Sequence, residues 1–122
     1  MGKKVLLVDD SSTVLMMERM IRAKGQYEVF EARDGAAGVA MAKRERPDLI
    51  LMDVVMPNMN GFEACKAIRA DEATRSIPVI MVTTRGELQS AEAGFAAGCN
   101  EYVTKPINGV ELLTKIRSCI GN

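Results

Sequence analysis

The chain predicts an α/β domain, a doubly wound five-stranded parallel sheet with helices on both faces, on three observations. The apolar runs Val5-Leu6-Leu7-Val8, Leu49-Ile50-Leu51-Met52, Val79-Ile80-Met81-Val82 and Tyr102-Val103-Thr104 are short, and most of their residues are apolar without a break. Runs of that kind read as strands buried on both faces rather than as strands with one wet side. Segments with apolar residues at helical spacing separate them, so strand and helix alternate along the whole length. At 122 residues and 48% hydrophobic content, the chain fits one domain over residues 1–122 and can bury a real core.

Taken in order, strand one is followed by helix one from about Ser12 to Lys24. Val14, Met17 and Ile21 fall at i, i+3 and i+7, and Gly25 is its C-terminal stop. Strand two runs from about Glu28 to Ala32. Helix two starts after Asp34-Gly35, buries Ala36, Val39 and Ala40, and ends before Pro47, whose ring cannot continue a helix. After strand three, Pro57-Asn58-Met59-Asn60-Gly61 is a dense loop signal, and Asn60 with Glu63 makes a capping pair for helix three, which faces the core with Phe62, Cys65 and Ile68. Ile77-Pro78 opens strand four. Helix four carries Leu88, Ala91 and Phe95 on one stripe and ends at Gly98. Strand five is Glu101 to Val103. Asn108 with Glu111 repeats the capping pattern before helix five, whose inner face is Val110, Leu113, Ile116 and Ile120.

Right-handed crossovers leave few topologies for such a chain, and the expected strand order is the flavodoxin-like 2-1-3-4-5. That order sets strand one beside strand three, so Asp9 and Asp10 approach Asp53 at the switch point. Thr83 then lies one strand further along, and Lys105 two.

Composition narrows the chemistry. Sixteen basic and sixteen acidic residues cancel, so no global positive field attracts a nucleic-acid backbone. Histidine is absent, which removes imidazole as general base, metal ligand or phosphorylated group; any histidine in the mechanism comes from a partner. Cys65, Cys99 and Cys119 are odd in number and widely spaced, without the paired pattern of a zinc site, and read as buried thiols of a reducing compartment. Met1-Gly2-Lys3-Lys4 precedes only four apolar residues before two aspartates, too short and too acidic for a signal peptide or membrane span. A cytoplasmic protein is expected.

The ends of the apolar runs carry the groups that phosphoryl transfer requires: Asp9 and Asp10, Asp53, Thr83, and Lys105-Pro106. The carboxyl ends of parallel strands are where such sheets bind ligands. Three converging carboxylates repel one another, each close pair by roughly 4 kcal/mol at an effective dielectric near 20. Mg²⁺ answers that repulsion, since it takes oxygen ligands and is commonly held by one or two carboxylates plus a phosphate. Lys105 adds a mobile positive charge. Asp53, central in the sheet, is placed to act as a nucleophile that becomes an acyl phosphate, with Thr83 as a hydroxyl donor to a phosphoryl oxygen. No second acid or base stands near the nucleophile to drive fast turnover, so the product persists.

Val8-Asp9-Asp10-Ser11, Met52-Asp53-Val54-Val55-Met56-Pro57 with Gly61, Val82-Thr83-Thr84, and Gly98-Cys99-Asn100-Glu101-Tyr102-Val103-Thr104-Lys105-Pro106 occur in that order from Lys4 to Ile120. In these features the chain resembles the receiver domain of two-component response regulators, close to the single-domain chemotaxis type. The resemblance implies that Asp53 accepts phosphate from a phosphohistidine on a histidine kinase. It implies that Asp10 and Asp53 ligate Mg²⁺ directly with the backbone carbonyl of Val55, with Asp9 acting through water. It further implies that Lys105 pairs with the phosphoryl group beside a cis Lys105-Pro106 bond. Thr83 moves toward the phosphate and Tyr102 turns inward, reshaping the helix four, strand five and helix five face that a downstream protein reads. No output domain is expected, and chemotaxis or another motility system is the implied setting.

Other readings stay open at this point. A phosphate sink or relay intermediate uses the same residues, and the chain is also consistent with a receiver excised from a larger regulator. A haloacid-dehalogenase-type hydrolase needs an aspartate two residues after the nucleophile, where Val55 stands. A flavin carrier needs a glycine-rich phosphate loop, and its ligand would meet three acids. The resemblance further implies that Val55 and Arg85 occupy positions that influence the lifetime of the acyl phosphate, without a sign that follows from their chemistry.

Overall fold

In the computed structural model, which describes residues 3–23, 27–54, 59–84 and 98–121, strands and helices alternate as the periodicity predicts over residues 3–84. The strands are β1 (Lys3–Val8), β2 (Tyr27–Ala32), β3 (Leu49–Asp53), β4 (Val79–Thr84) and β5 (Glu101–Lys105). The described helices are α1 (Thr13–Arg22), α2 (Gly35–Glu45), α3 (Gly61–Ala70) and α4 (Gly109–Ile120). The last of these is the fifth predicted helix. Gly25 and the predicted helix with Leu88, Ala91 and Phe95 lie outside the described residues.

All strands are parallel, in the order β2-β1-β3-β4-β5. Because successive strand residues point to opposite faces, the apolar runs sort themselves into two cores. Leu6, Val8, Ile50, Met52, Val79 and Met81 join Val39 and Ala42 of α2 with Ala64, Cys65 and Ile68 of α3. Val5, Leu7, Leu49, Leu51, Ile80, Val82 and Val103 join Val14, Met17 and Ile21 of α1 with Leu112 and Ile116 of α4. Central β3 is buried at every position, which is why its sequence shows no polar alternation. Each fully buried aliphatic side chain contributes about 1.5–3 kcal/mol over its exposed state.

Helix starts are fixed by local chemistry. Asp34 accepts the Ala37 N–H at 2.7 Å ahead of α2. Asn60 and Glu63 form a reciprocal capping box at α3, at 2.9 and 3.1 Å. Asn108 accepts the Glu111 N–H at 3.0 Å ahead of α4. Arg46 closes α2 in the left-handed region, φ 48°, with its N–H on the Ala42 carbonyl, so the helix stops just before Pro47.

Two helix faces differ from the sequence expectation. Helix α2 buries Gly35, Gly38, Val39 and Ala42, while Ala36 and Ala40 are exposed. Alanine populates both faces of this helix and leaves the stripe ambiguous; a close approach settles it, since a Cβ on Gly38 would stand 2.8 Å from both Val8 methyls. Helix α4 buries Leu112 and Ile116, with Leu113 and Ile120 half-buried, and Val110 is 78% exposed. Gly109 faces Met20 of α1, a Cβ there lying 3.4 Å from its sulfur, and Val110 is turned about 100° away from that contact. Strand β5 also runs two residues past the predicted Val103, to Lys105.

Candidate functional site

The site stands at the carboxyl rim of the sheet because the strands end in register there. Val8 pairs with Met52, so Asp9 follows β1 level with Asp53 at the end of β3. Asp53 pairs with Val82, which puts Thr83 one residue beyond it on β4, and Thr84 pairs with Lys105 on β5. Parallel pairing, level from β1 to β3 and advancing one residue per strand from β3 to β5, thus carries an acid, an acid, a hydroxyl and an ammonium to one edge. Asp9, Asp53 and Thr83 are buried, Asp10 is exposed and Lys105 is half-buried. The Lys105–Pro106 bond is cis.

Asp9, Asp10 and Asp53 each offer a carboxylate oxygen within 4.8 Å of the others. Lys105 Nζ lies 3.4 Å from Asp53 Oδ1 and 3.7 Å from Asp9 Oδ2. Asp9 Oδ1 accepts two bonds from Ser11, from its N–H at 2.7 Å and its hydroxyl at 2.6 Å. Asp9 Oδ2 has no hydrogen-bond partner among the described residues. Burial pushes the Asp53 carboxyl up to about 6, the negative charge of Asp9 adds to the rise, Lys105 opposes it, and Asp10 contributes a further upward push. One ammonium therefore does not compensate three acids.

These observations fit a hard divalent cation. The donor set is all carboxylate oxygen, one buried oxygen accepts no hydrogen bond among the described residues, and the central acid is held above the usual carboxylate range. A loaded site of this kind presents cation and ammonium together, a combination suited to a phosphoryl group.

The start of α3 is held against the end of β3. The Gly61 N–H donates to the Val54 carbonyl at 2.9 Å, and a Cβ at Gly61 would stand 2.3 Å from the Asp53 carbonyl oxygen. Only glycine permits that approach. Tyr102 of β5 is half-buried against the α2–α3 core, and its carbonyl accepts from Lys115 Nζ of α4. Val55 and Arg85 lie outside the described residues.

Two contributors escape a reading of residue types. Ser11 stands just before the predicted start of helix one, and its two hydrogen bonds to Asp9 have no signature beyond adjacency. Arg69, near the end of α3, donates to the Gly98 carbonyl at 2.9 Å, the Ile77 carbonyl at 2.7 Å and Asn100 Oδ1 at 2.7 Å. Asn100 Oδ1 also accepts the Val79 N–H at 2.9 Å, so this network joins α3 to the starts of β4 and β5, at the rim away from the acids.

Comparison with known proteins agrees with this geometry. The response regulator receiver domain family matches residues 5–117. The chain is 38% identical to the protein PilH of Pseudomonas aeruginosa over 117 residues, covering 96% of this chain and 97% of PilH. Several other curated relatives are longer, and the chain spans only 26% to 52% of their length. Among solved structures, the chemotaxis protein CheY4 of Vibrio cholerae superposes with a TM-score of 0.89 at 36% identity, covering 98% and 99% of the two chains. The receiver domain of the sensor histidine kinase PA1611 of Pseudomonas aeruginosa, which has a magnesium ion coordinated in its active site cleft, gives 0.91 at 36% identity over both whole chains. Among the described residues, no helix is long and apolar enough to cross a membrane. With five parallel strands in this order, an acid cluster at their rim and a family match across nearly all its length, the chain belongs to the response regulator receiver domains of two-component signalling.

Proposed function

We propose that Asp53 is the phosphoacceptor of a Mg²⁺-dependent switch that takes its phosphoryl group from a phosphohistidine of a sensor kinase. The observation that carries this reading is Asp53 itself, a buried carboxylate at the end of the central strand with an oxygen within 4.8 Å of those of Asp9 and Asp10 and Lys105 Nζ at 3.4 Å. In the reaction, an Asp53 carboxylate oxygen attacks phosphorus, the phosphorus–nitrogen bond to the donor imidazole breaks, and the imidazole leaves. Bound Mg²⁺ would neutralise the acids and the incoming phosphoryl oxygens. Asp10, Asp53 and the Val55 carbonyl would hold it, with Asp9 acting through water. Lys105 pairs with the transferred group, and the Thr83 hydroxyl donates to one of its oxygens. The chain catalyses only this transfer and its slow hydrolysis.

Phosphorylation is read out when Thr83 moves toward the phosphate and Tyr102 turns inward, altering the face made by the fourth predicted helix, β5 and α4. A downstream protein docks there. Similarity to CheY4 supports a chemotaxis or motility setting. The absence of any long apolar helix among the described residues and the balanced charge support a cytoplasmic protein acting on proteins rather than on nucleic acid.

Incubation with a small phosphodonor such as acetyl phosphate and Mg²⁺, followed by intact mass, tests the proposal. One added phosphoryl group is expected, absent in Asp53→Asn and after chelation. Phosphorylation that persists in Asp53→Asn would overturn it.

A further inference from the structure

Asp9 is fully buried, yet its carboxylate is not free to turn. Both hydrogen bonds from Ser11 fall on the same oxygen, Oδ1, at 2.7 Å from the N–H and 2.6 Å from the hydroxyl. Ser11 Oγ also accepts the Thr13 N–H at 3.3 Å, at the first residue of α1. A serine hydroxyl has one proton; with Thr13 donating to its lone pair, that proton goes to Asp9. The result is a short relay from the start of α1 through Ser11 into the acid cluster.

Two donors on one oxygen fix the plane of a carboxylate that would otherwise rotate about its Cβ–Cγ bond. Oδ2 is thereby kept 3.7 Å from Lys105 Nζ, where it makes no hydrogen bond among the described residues, in a residue that offers a carboxylate oxygen within 4.8 Å of those of Asp10 and Asp53. We propose that Ser11 is a positioning residue of the cation site, holding Asp9 so that Oδ2 faces the ion. This rests on the metal-dependent reading above. Partners of metal-binding carboxylates set their orientation and thereby the affinity of the site. In this role Ser11 acts through Asp9.

Calorimetric titration of the phosphate-free protein with MgCl₂ alone, at constant ionic strength, tests this beside thermal melts of each variant. Ser11→Ala is expected to weaken Mg²⁺ binding about tenfold, the lower end of what loss of such a partner does. Ser11→Cys, nearly the same size with a weak donor, falls with it and substitutes for it should the alanine variant not fold. Ser11→Thr keeps the hydroxyl and restores affinity. Ser12→Ala, at an exposed residue whose side chain makes no capping bond, binds as the wild type does. A role confined to starting α1 would lower the melting temperature and leave affinity unchanged. Wild-type affinity in Ser11→Ala or Ser11→Cys, or equal loss in Ser11→Thr, overturns the proposal while leaving the phosphoacceptor reading intact. A wild-type protein that takes up no Mg²⁺ overturns both.

Discussion

At the scale of the residue, the site is a contest between burial, which favours neutral carboxyls, and Lys105, which favours charged ones. Lys105 Nζ is the cation within reach of both buried acids among the described residues, at 3.4 Å from Asp53 and 3.7 Å from Asp9. Replacing it with methionine removes the downward pull and keeps the burial, so the Asp53 pKa rises further above about 6. Carboxyl ¹³C NMR of metal-free protein reads this directly, and a fall in that value would contradict it. The same imbalance makes Asp53→Asn stabilising without metal, by about 1–2 kcal/mol at neutral pH. Urea unfolding in chelator checks the sign. The convergence of Asp9, Asp10, Asp53 and Lys105 was legible in the sequence because each follows an apolar run and parallel strands end in register. Ser11 and Arg69 were not, because their partners are a neighbour's particular oxygen and backbone carbonyls up to 29 residues away.

At the scale of the element, β3 and the turn into α3 carry the most consequence. Asn60→Ala removes half of a reciprocal capping box and is expected to cost about 1 kcal/mol. Gly61→Ala forces a Cβ into the Asp53 carbonyl and is expected to cost more, about 2–3 kcal/mol, with slower phosphorylation because the displaced backbone carries the acceptor. Equilibrium unfolding of the pair orders them; a Gly61→Ala protein no less stable than Asn60→Ala would contradict the close approach. Strands were legible because doubly buried runs have no competing pattern. Helix faces were less so: in α2, alanines and glycines give no contrast between sides, and in α4, Val110 is apolar in type yet turned from the core by the Gly109–Met20 contact.

At the scale of the whole molecule, two cores clamp one sheet and leave its carboxyl rim to chemistry rather than to stability. The rim acts against the fold when no cation is bound. The Asp53 carboxyl has its pKa near 6 in the folded chain against 3.8 for the free group, so the native state holds that proton more tightly than the unfolded state. Its contribution to stability is present below about pH 3.8 and is lost as pH rises through about 6. Metal-free wild type is therefore expected to lose stability relative to Asp53→Asn across that window, and Mg²⁺ to recover it at neutral pH. Parallel denaturation series with chelator and with Mg²⁺ test this; a gap that does not change with pH would contradict it. Strand order was legible throughout, whereas the dimensions of the rim depend on side-chain directions that no residue pattern encodes.

A crystal structure with Mg²⁺ and a phosphoryl analogue such as beryllofluoride tests the shared-cation site most directly. The result predicted is one cation bound by Asp10 and Asp53, Asp9 turned toward it, and the analogue on Asp53 with Lys105 Nζ in hydrogen-bond range. An analogue on another residue, or a cation that does not touch Asp53, would contradict it.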